Sequence, residues 1–214
     1  MARLTKRDRA ILEVAALKLS FLTLAFIART FFSKAKDPER TAQRRMQHLV
    51  AGGWLYRLRI STRWPPPPVE LLCEWEPGNR IPNCIDLSSR VRSRWRTSTG
   101  GRDLICFSAT PKLKSFIGGY SAYDPVGGHA DSHDVFAERV FEHFLRHRRN
   151  LAKSWVHESS TVDREGLIRP DFEFRTEDGT PFRLLEVCGR TYPPERYQRL
   201  FQSCAARNLP MELY

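Results

Sequence analysis

Apolar positions in the first third of the chain recur at helical spacing. Thr5 and Asp8 form a capping-box pair, and Ile11, Leu12, Ala15 and Leu19 then fall on one face of a predicted first helix. Leu24, Ile27, Ala28 and Phe31 repeat the pattern after Ser20 or Thr23, predicting a second helix. A third follows the charged turn 33–37. Asp37 caps it, Pro38 suits its first turn, Gly52-Gly53 ends it, and Ala42, Met46, Leu49 and Val50 make its inward stripe. The stretch from Trp54 to Ile60 then has β-rich composition and approximate alternation. A turn through Ser61 and the prolines Pro65 to Pro68 leads to a predicted return strand, Val69 to Trp75.

Helix, helix, helix, strand, turn and strand in that order is the layout of a winged helix-turn-helix, predicted here over residues 1–75. In the third helix Arg40, Arg44, Gln47 and His48 point away from the apolar stripe, and Thr41 and Gln43 join them as candidate DNA contacts. Arg and Gln read base edges in the major groove, and recognition helices use their N-terminal half to do so. A merely solvated face would mix Glu with Lys, whereas this one carries only Glu39, at the helix start where the dipole favours an acid. On the first strand and its turn, Arg57, Arg59 and Arg63 are placed to meet phosphates.

Residues 76–130 read as a basic connecting segment rich in Gly, Pro and Ser. Leu87, Val91 and Trp95, at i, i+4 and i+8, predict one short helix within it. Arg90, Arg92, Arg94, Arg96 and Arg102 crowd the same stretch, which is either a second phosphate-contacting surface or a basic linker. Leu104 to Phe107 reads as a buried strand, and the pairs Gly118-Gly119 and Gly127-Gly128 as turns.

Periodicity returns over residues 131–214. Ala137, Val140, Phe141, Phe144 and Leu145 make a helical stripe that ends in Arg146-His147-Arg148-Arg149, read as a solvated helix end. Strands are predicted at 154–158, 168–175 and 183–188, a helix after Pro193-Pro194 with Tyr197, Leu200, Phe201 and Cys204 inward, and a last strand at 211–214. The order αβββαβ, with Asp171 on the second strand and Glu186 on the third, is that of the restriction-endonuclease-like PD-(D/E)xK fold. The fold class expected is therefore α+β or α/β. Metal-dependent phosphodiester cleavage needs two or three converging carboxylates. Asp171 and Glu186 are placed for this, with Glu158 or Glu138 as the third and Mg²⁺ or Mn²⁺ as the ion. The motif lysine is absent, because position 188 is Cys, which cannot supply the cation. Arg190 and Lys153 are the candidates to replace it, and a catalytically silent domain is the favoured expectation. His133-Asp134 reads first as a helix start rather than a metal or acid/base pair.

Charge strengthens the N-terminal reading. The first 64 residues hold four Lys and ten Arg against four acids, nearly all of the net +11 of the 214-residue chain. A polyanion partner is the economical explanation, and DNA binding of this kind requires no cofactor. Five widely spaced cysteines without a CxxC pair suggest neither zinc nor disulfides. With no signal-peptide pattern, and with Glu13, Lys18 and Arg29 breaking the apolar run 11–32, the expectation is a cytoplasmic, nucleoid-associated bacterial-type protein without a membrane partner.

The opening KRDRAILEVAALKLSFLTLAFIARTFF, the segment RTAQRRMQHLVAGGWLYRL, the HDV start of the later helix, and RPDFEF followed by LLEVCGRTY resemble the replication-relaxation family of mobile-element proteins. The resemblance implies a winged-helix DNA binder with a nuclease-like C-terminal domain, associated with plasmid or integrative-element replication or its control. It supports Arg40, Arg44 and Gln47 as DNA contacts, and Asp171 and Glu186 in placement more than in catalysis. The expected function is duplex-DNA binding in replication control or transcription regulation, with a homodimer or a replication or mobility protein as further partner. The competing expectation is a metal-dependent endonuclease targeted by the same winged helix.

Overall fold

The computed structural model describes residues 3–117, 132–158 and 167–214. It is a mixed α+β protein whose strands form two sheets. The chain divides into two compact units that interleave along the sequence, 1–62 with 101–138 and 63–100 with 139–214. The boundaries at 75 and 130 read from the sequence do not follow these units. The predicted turns at Gly118-Gly119 and Gly127-Gly128 lie outside the described residues.

In the first unit, α1 (Lys6–Glu13) starts at the Thr5/Asp8 capping box and continues as a π-helical turn through Val14–Lys18. A two-residue strand, β1 (Leu22–Thr23), leads into α2 (Leu24–Phe31), whose first turn is capped by the Thr23 hydroxyl. The longer α3 (Pro38–Ala51) begins at Asp37 as predicted, and Gly53 follows it at φ 72°, a conformation that favours glycine. Ile11, Leu12, Ile27, Ala42 and Met46 of the predicted apolar stripes are completely buried, and Phe26, outside the predicted stripe, joins them in the core. Burial of each large aliphatic side chain contributes about 1.5–3 kcal/mol.

After α3 comes β2 (Leu55–Trp64), longer than the sequence suggested. Its partner is a correction to the predicted hairpin. The sheet order is β1-β4-β2, where β4 is Gly100–Ala109, and the predicted return strand does not take part. Of residues 69–75 only β3 (Cys73–Trp75) is a strand, and it pairs antiparallel with the last strand of the second sheet. Pro65–Pro68 carry no N–H to donate to a ladder beside β2. Instead Cys106 of β4 is buried with Phe21, Ile60 and Val135.

The intervening segment is no linker. It carries α4 (Cys84–Trp95), capped by Asn83, with Leu87, Val91 and Trp95 buried as their spacing predicts. The short α5 (Pro111–Ile117) follows β4.

Next come α6 (Ser132–His147), α7 (Arg149–Ser154), β5 (Trp155–His157), β6 (Phe172–Arg175), β7 (Pro181–Glu186), α8 (Pro194–Arg207) and β8 (Met211–Leu213). The second sheet has the order β3-β8-β7-β6-β5. Strands β5, β6 and β7 form an antiparallel meander, while β8 runs parallel to β7 after the crossover through α8. Trp155 anchors the core, its ring 5.1 Å from Phe141, 5.2 Å from Phe144 and 4.4 Å from Phe172.

The basic cluster 146–149 is only partly a solvated helix end. Arg148 donates to both oxygens of the fully buried Glu212, at 2.5 and 2.8 Å, and Arg183 reaches the same carboxylate at 2.7 Å. A carboxylate in the middle of a sheet is retained here because two guanidiniums satisfy it.

Candidate nucleic-acid interface and carboxylate cluster

Helix α3 presents two distinct faces. Its inner face is fixed by Ala42, Met46 and Leu49, with Val50 half-buried beside them. Arg40, Gln43, Arg44, Gln47 and His48 are all exposed on the other side. Thr41 is half-buried, and its hydroxyl donates to the Asp37 carbonyl at 2.6 Å, so it serves the helix start.

One arginine of α3 points elsewhere. Arg45 donates from Nε to Asp8 of α1 at 2.6 Å and from Nη2 to the second oxygen of the same carboxylate. Asp8 is buried and also accepts from the Thr5 backbone N–H and hydroxyl, both at 2.6 Å. Burial pushes the Asp8 carboxyl up, but the hydrogen bonds from Arg45 and Thr5 outweigh it and hold the group below its ordinary range. A capping residue of α1 thus doubles as the anchor of α3. At the far end, Lys112 donates to the Gly52 carbonyl at 2.7 Å and lies 4.3 Å from the Trp54 ring centre, securing the close of the helix.

On β2, Arg57, Arg59 and Arg63 are exposed. Arg59 pairs with Asp103 at 2.9 Å, with both groups largely in solvent, where such a pair is weak. Arg63 falls in the second unit rather than with Arg57 and Arg59.

In the second unit, Asp171 and Glu186 come together as their strand positions predict. The Asp171 N–H donates to Glu186 Oε2 at 3.0 Å, and the Val187 N–H donates to Asp171 Oδ2 at 2.8 Å. The remaining Glu186 oxygen, Oε1, accepts from Arg196 Nη2 at 2.9 Å, and that nitrogen lies 3.1 Å from the Tyr192 hydroxyl. Glu186 has no solvent exposure, and Asp171 has 8%. Burial first, and the neighbouring Asp171 charge second, push the Glu186 carboxyl up to about 8 against the opposing pull of Arg196.

The cation beside the carboxylates is therefore Arg196, from α8, and not Arg190 or Lys153, both of which are exposed. Its place one turn before Leu200, on the inward stripe of α8, was the available signal in the sequence. The cover over the cluster was not foreseen either. Trp95 of α4 donates to the Cys188 carbonyl at 3.1 Å, and Ser88 donates to the Tyr192 carbonyl at 2.9 Å. The Cys188 thiol is completely buried there, and burial pushes its pKa upward, so it supplies no charge.

Neither proposed third carboxylate completes a metal site. Glu158 meets Asp171 through the backbone, its N–H donating to the Asp171 carbonyl at 2.8 Å. Glu138 belongs to the first unit, where it is buried and accepts from the Thr23 hydroxyl at 2.7 Å, anchoring the cap of α2. Among the described residues no three His, Cys, Asp or Glu side chains gather as a metal would need. Divalent Mg²⁺ keeps several waters and needs carboxylate oxygens turned towards solvent. Glu186, with no solvent exposure and both oxygens engaged, presents no free oxygen to Mg²⁺ or Mn²⁺ in this arrangement. In the first unit, His133 Nδ1 and Asp134 Oδ1 lie 3.5 Å apart in the first turn of α6.

Comparison with models of known families, with curated proteins and with solved structures gives no match. Among the described residues no helix is long and apolar enough to cross a membrane.

Proposed function

We propose that this chain binds duplex DNA, with α3 as a recognition helix in the major groove and Arg57 and Arg59 of β2 at the phosphate backbone. The observation that carries the proposal is the outward face of α3. Arg40, Gln43, Arg44, Gln47 and His48 are all exposed there, while the helix's remaining arginine, Arg45, is turned inward to Asp8. The exposed side chains are those that pair with guanine, adenine and phosphate. Support for a winged helix-turn-helix comes from the order α1-β1-α2-α3-β2-β4 and the sheet β1-β4-β2, with β4 in place of the strand expected from the sequence.

The second unit is read as a nuclease-like domain without cleavage chemistry. Its meander β5-β6-β7, the crossover α8 and the parallel β8 support the first half of that statement, and the enclosed Asp171–Glu186–Arg196 cluster supports the second. Replication control or transcription regulation of a mobile element is the setting that the resemblance implies. The test is a gel-shift assay on labelled duplex across a salt series, run in parallel with EDTA and with Mn²⁺. A salt-sensitive shift of intact DNA in both conditions is expected. Mn²⁺-dependent products that vanish in Asp171→Ala would overturn the assignment and establish an endonuclease.

A further inference from the structure

Several arginines of the second unit serve its own acids. Arg148, Arg175, Arg183, Arg196 and Arg207 each bond to a carboxylate, and the acids they serve include the buried Glu173, Glu186 and Glu212. Their charges are consumed by the fold. Outside that set, alongside the exposed Arg80, Arg90, Arg190 and Arg199, are Arg92 and Arg96. Both are exposed, and among the described residues neither has an acidic partner at ion-pair distance.

These two arginines share a face of α4. Leu87, Ser88, Val91, Arg94 and Trp95 are buried and fix one side of the helix, with Ser88 and Trp95 bonded to the Tyr192 and Cys188 carbonyls. Ser89, Arg92, Ser93 and Arg96, at i, i+3, i+4 and i+7, make a stripe on the opposite side, and all four are exposed. Arg96 is the C-cap but keeps a helical conformation, at φ −64° and ψ −26°, so the stripe continues through it. The single acid of the helix, Asp86, lies in the first turn, ahead of the stripe.

We infer that this Ser89–Arg92–Ser93–Arg96 stripe is a second duplex-DNA contact, binding backbone phosphates without reading sequence. The helix dipole explains a cation in the last turn. It does not explain two guanidiniums one turn apart, interleaved with hydroxyls. Guanidinium forks grip phosphate oxygens bidentately, and serine hydroxyls add donors without charge. Four helical residues span about 6 Å along the axis, so Arg92 and Arg96 can hold successive phosphates of one strand. Because the buried side of α4 is packed and hydrogen-bonded, the stripe is presented by a fixed helix and binding orders little beyond the side chains.

This contact rests on the duplex-DNA reading, and it is tested on the full chain with a random-sequence labelled duplex. The slope of log K against log salt is measured for the wild type, Arg92→Gln/Arg96→Gln, Arg92→Lys/Arg96→Lys and Arg40→Gln/Arg44→Gln. Each lost phosphate contact flattens the slope by about 0.9, so the glutamine pair on α4 should flatten it by about 2 while the lysine pair largely restores it. A wild-type slope in the α4 glutamine variant, with a flatter one in the α3 variant, overturns the second contact alone. A wild type that binds no duplex overturns both. Unchanged circular dichroism and Tm in the α4 variants, expected for exposed positions, assign the loss to binding.

Discussion

Asp171 and Glu186 hold each other's strands. The Asp171 N–H donates to the Glu186 carboxylate at 3.0 Å, and the Asp171 carboxylate accepts from the N–H of Val187, the residue after Glu186, at 2.8 Å. Each acid thus bonds the neighbouring backbone, and Arg196 donates to the more deeply buried of the two. The geometry describes a strand staple more than an open ion site.

Removing the staple should cost stability rather than only activity. Asp171→Ala leaves the Val187 N–H without this acceptor in a buried setting, which costs about 1–3 kcal/mol. Urea denaturation is the measurement, and added Mn²⁺ should leave the wild-type Tm where it was. A Tm that climbs with Mn²⁺, and does so only when Asp171 is present, would show that the cluster opens to a metal.

The raised pKa of Glu186 makes a second prediction, with a definite sign. Because its folded pKa, about 8, exceeds the ordinary 4.5, the folded state binds the extra proton between those values. Stability from this group is therefore fully present below about 4.5 and declines as pH rises towards 8. Glu186→Gln should flatten the decline, so the difference in Tm between variant and wild type should change steadily across that window. Parallel Tm curves would contradict the burial of an uncharged Glu186.

Asp8 acts with the opposite sign. Its folded pKa is depressed, so its contribution is present above the unfolded value of 3.8 and is lost as pH falls through the folded one. Arg45→Ala takes away the guanidinium that helps hold the charge and should destabilise the first unit by about 2–3 kcal/mol near neutral pH. The penalty should shrink in acid, where Asp8 is protonated. An equal penalty at every pH would mean that Arg45 contributes packing alone.

Arg44 provides the direct test of α3. Arg44→Ala should weaken binding to a selected duplex site by about 1–3 kcal/mol if the side chain reads a base, with little change in Tm because it is exposed. Equal losses on selected and random duplexes would reassign it from base reading to phosphate contact. Fluorescence anisotropy on both duplexes separates the cases.

Local signals in the sequence located most of the helices and strands. Thr5, Thr23, Asp37 and Asn83 cap helices where residue type and spacing allow it, and the apolar stripes of α1, α2, α3, α4 and α8 supply most of their buried faces, with Phe31 and Val50 half-buried and Phe26 an unpredicted addition. Capping and periodicity depend on neighbours within a turn or two, so they are visible in one dimension. Strand positions were legible for the same reason, which is why Asp171 and Glu186 could be paired in advance.

Strand partners and charge partners were not legible. The predicted return strand at 69–75 belongs to the second sheet, because the later strand β4 brings the apolar Cys106 and Phe107 to the place beside β2. Arg148 read as part of a solvated helix end, and nothing in the sequence marked Arg45 or Arg196, yet Arg45, Arg148 and Arg196 meet buried carboxylates 37, 64 and 10 residues away. Composition and spacing by themselves established a basic N-terminal third and a set of amphipathic elements. Only the tertiary structure decided which arginines are neutralised within the fold and which face solvent, since that depends on contacts between elements distant in sequence.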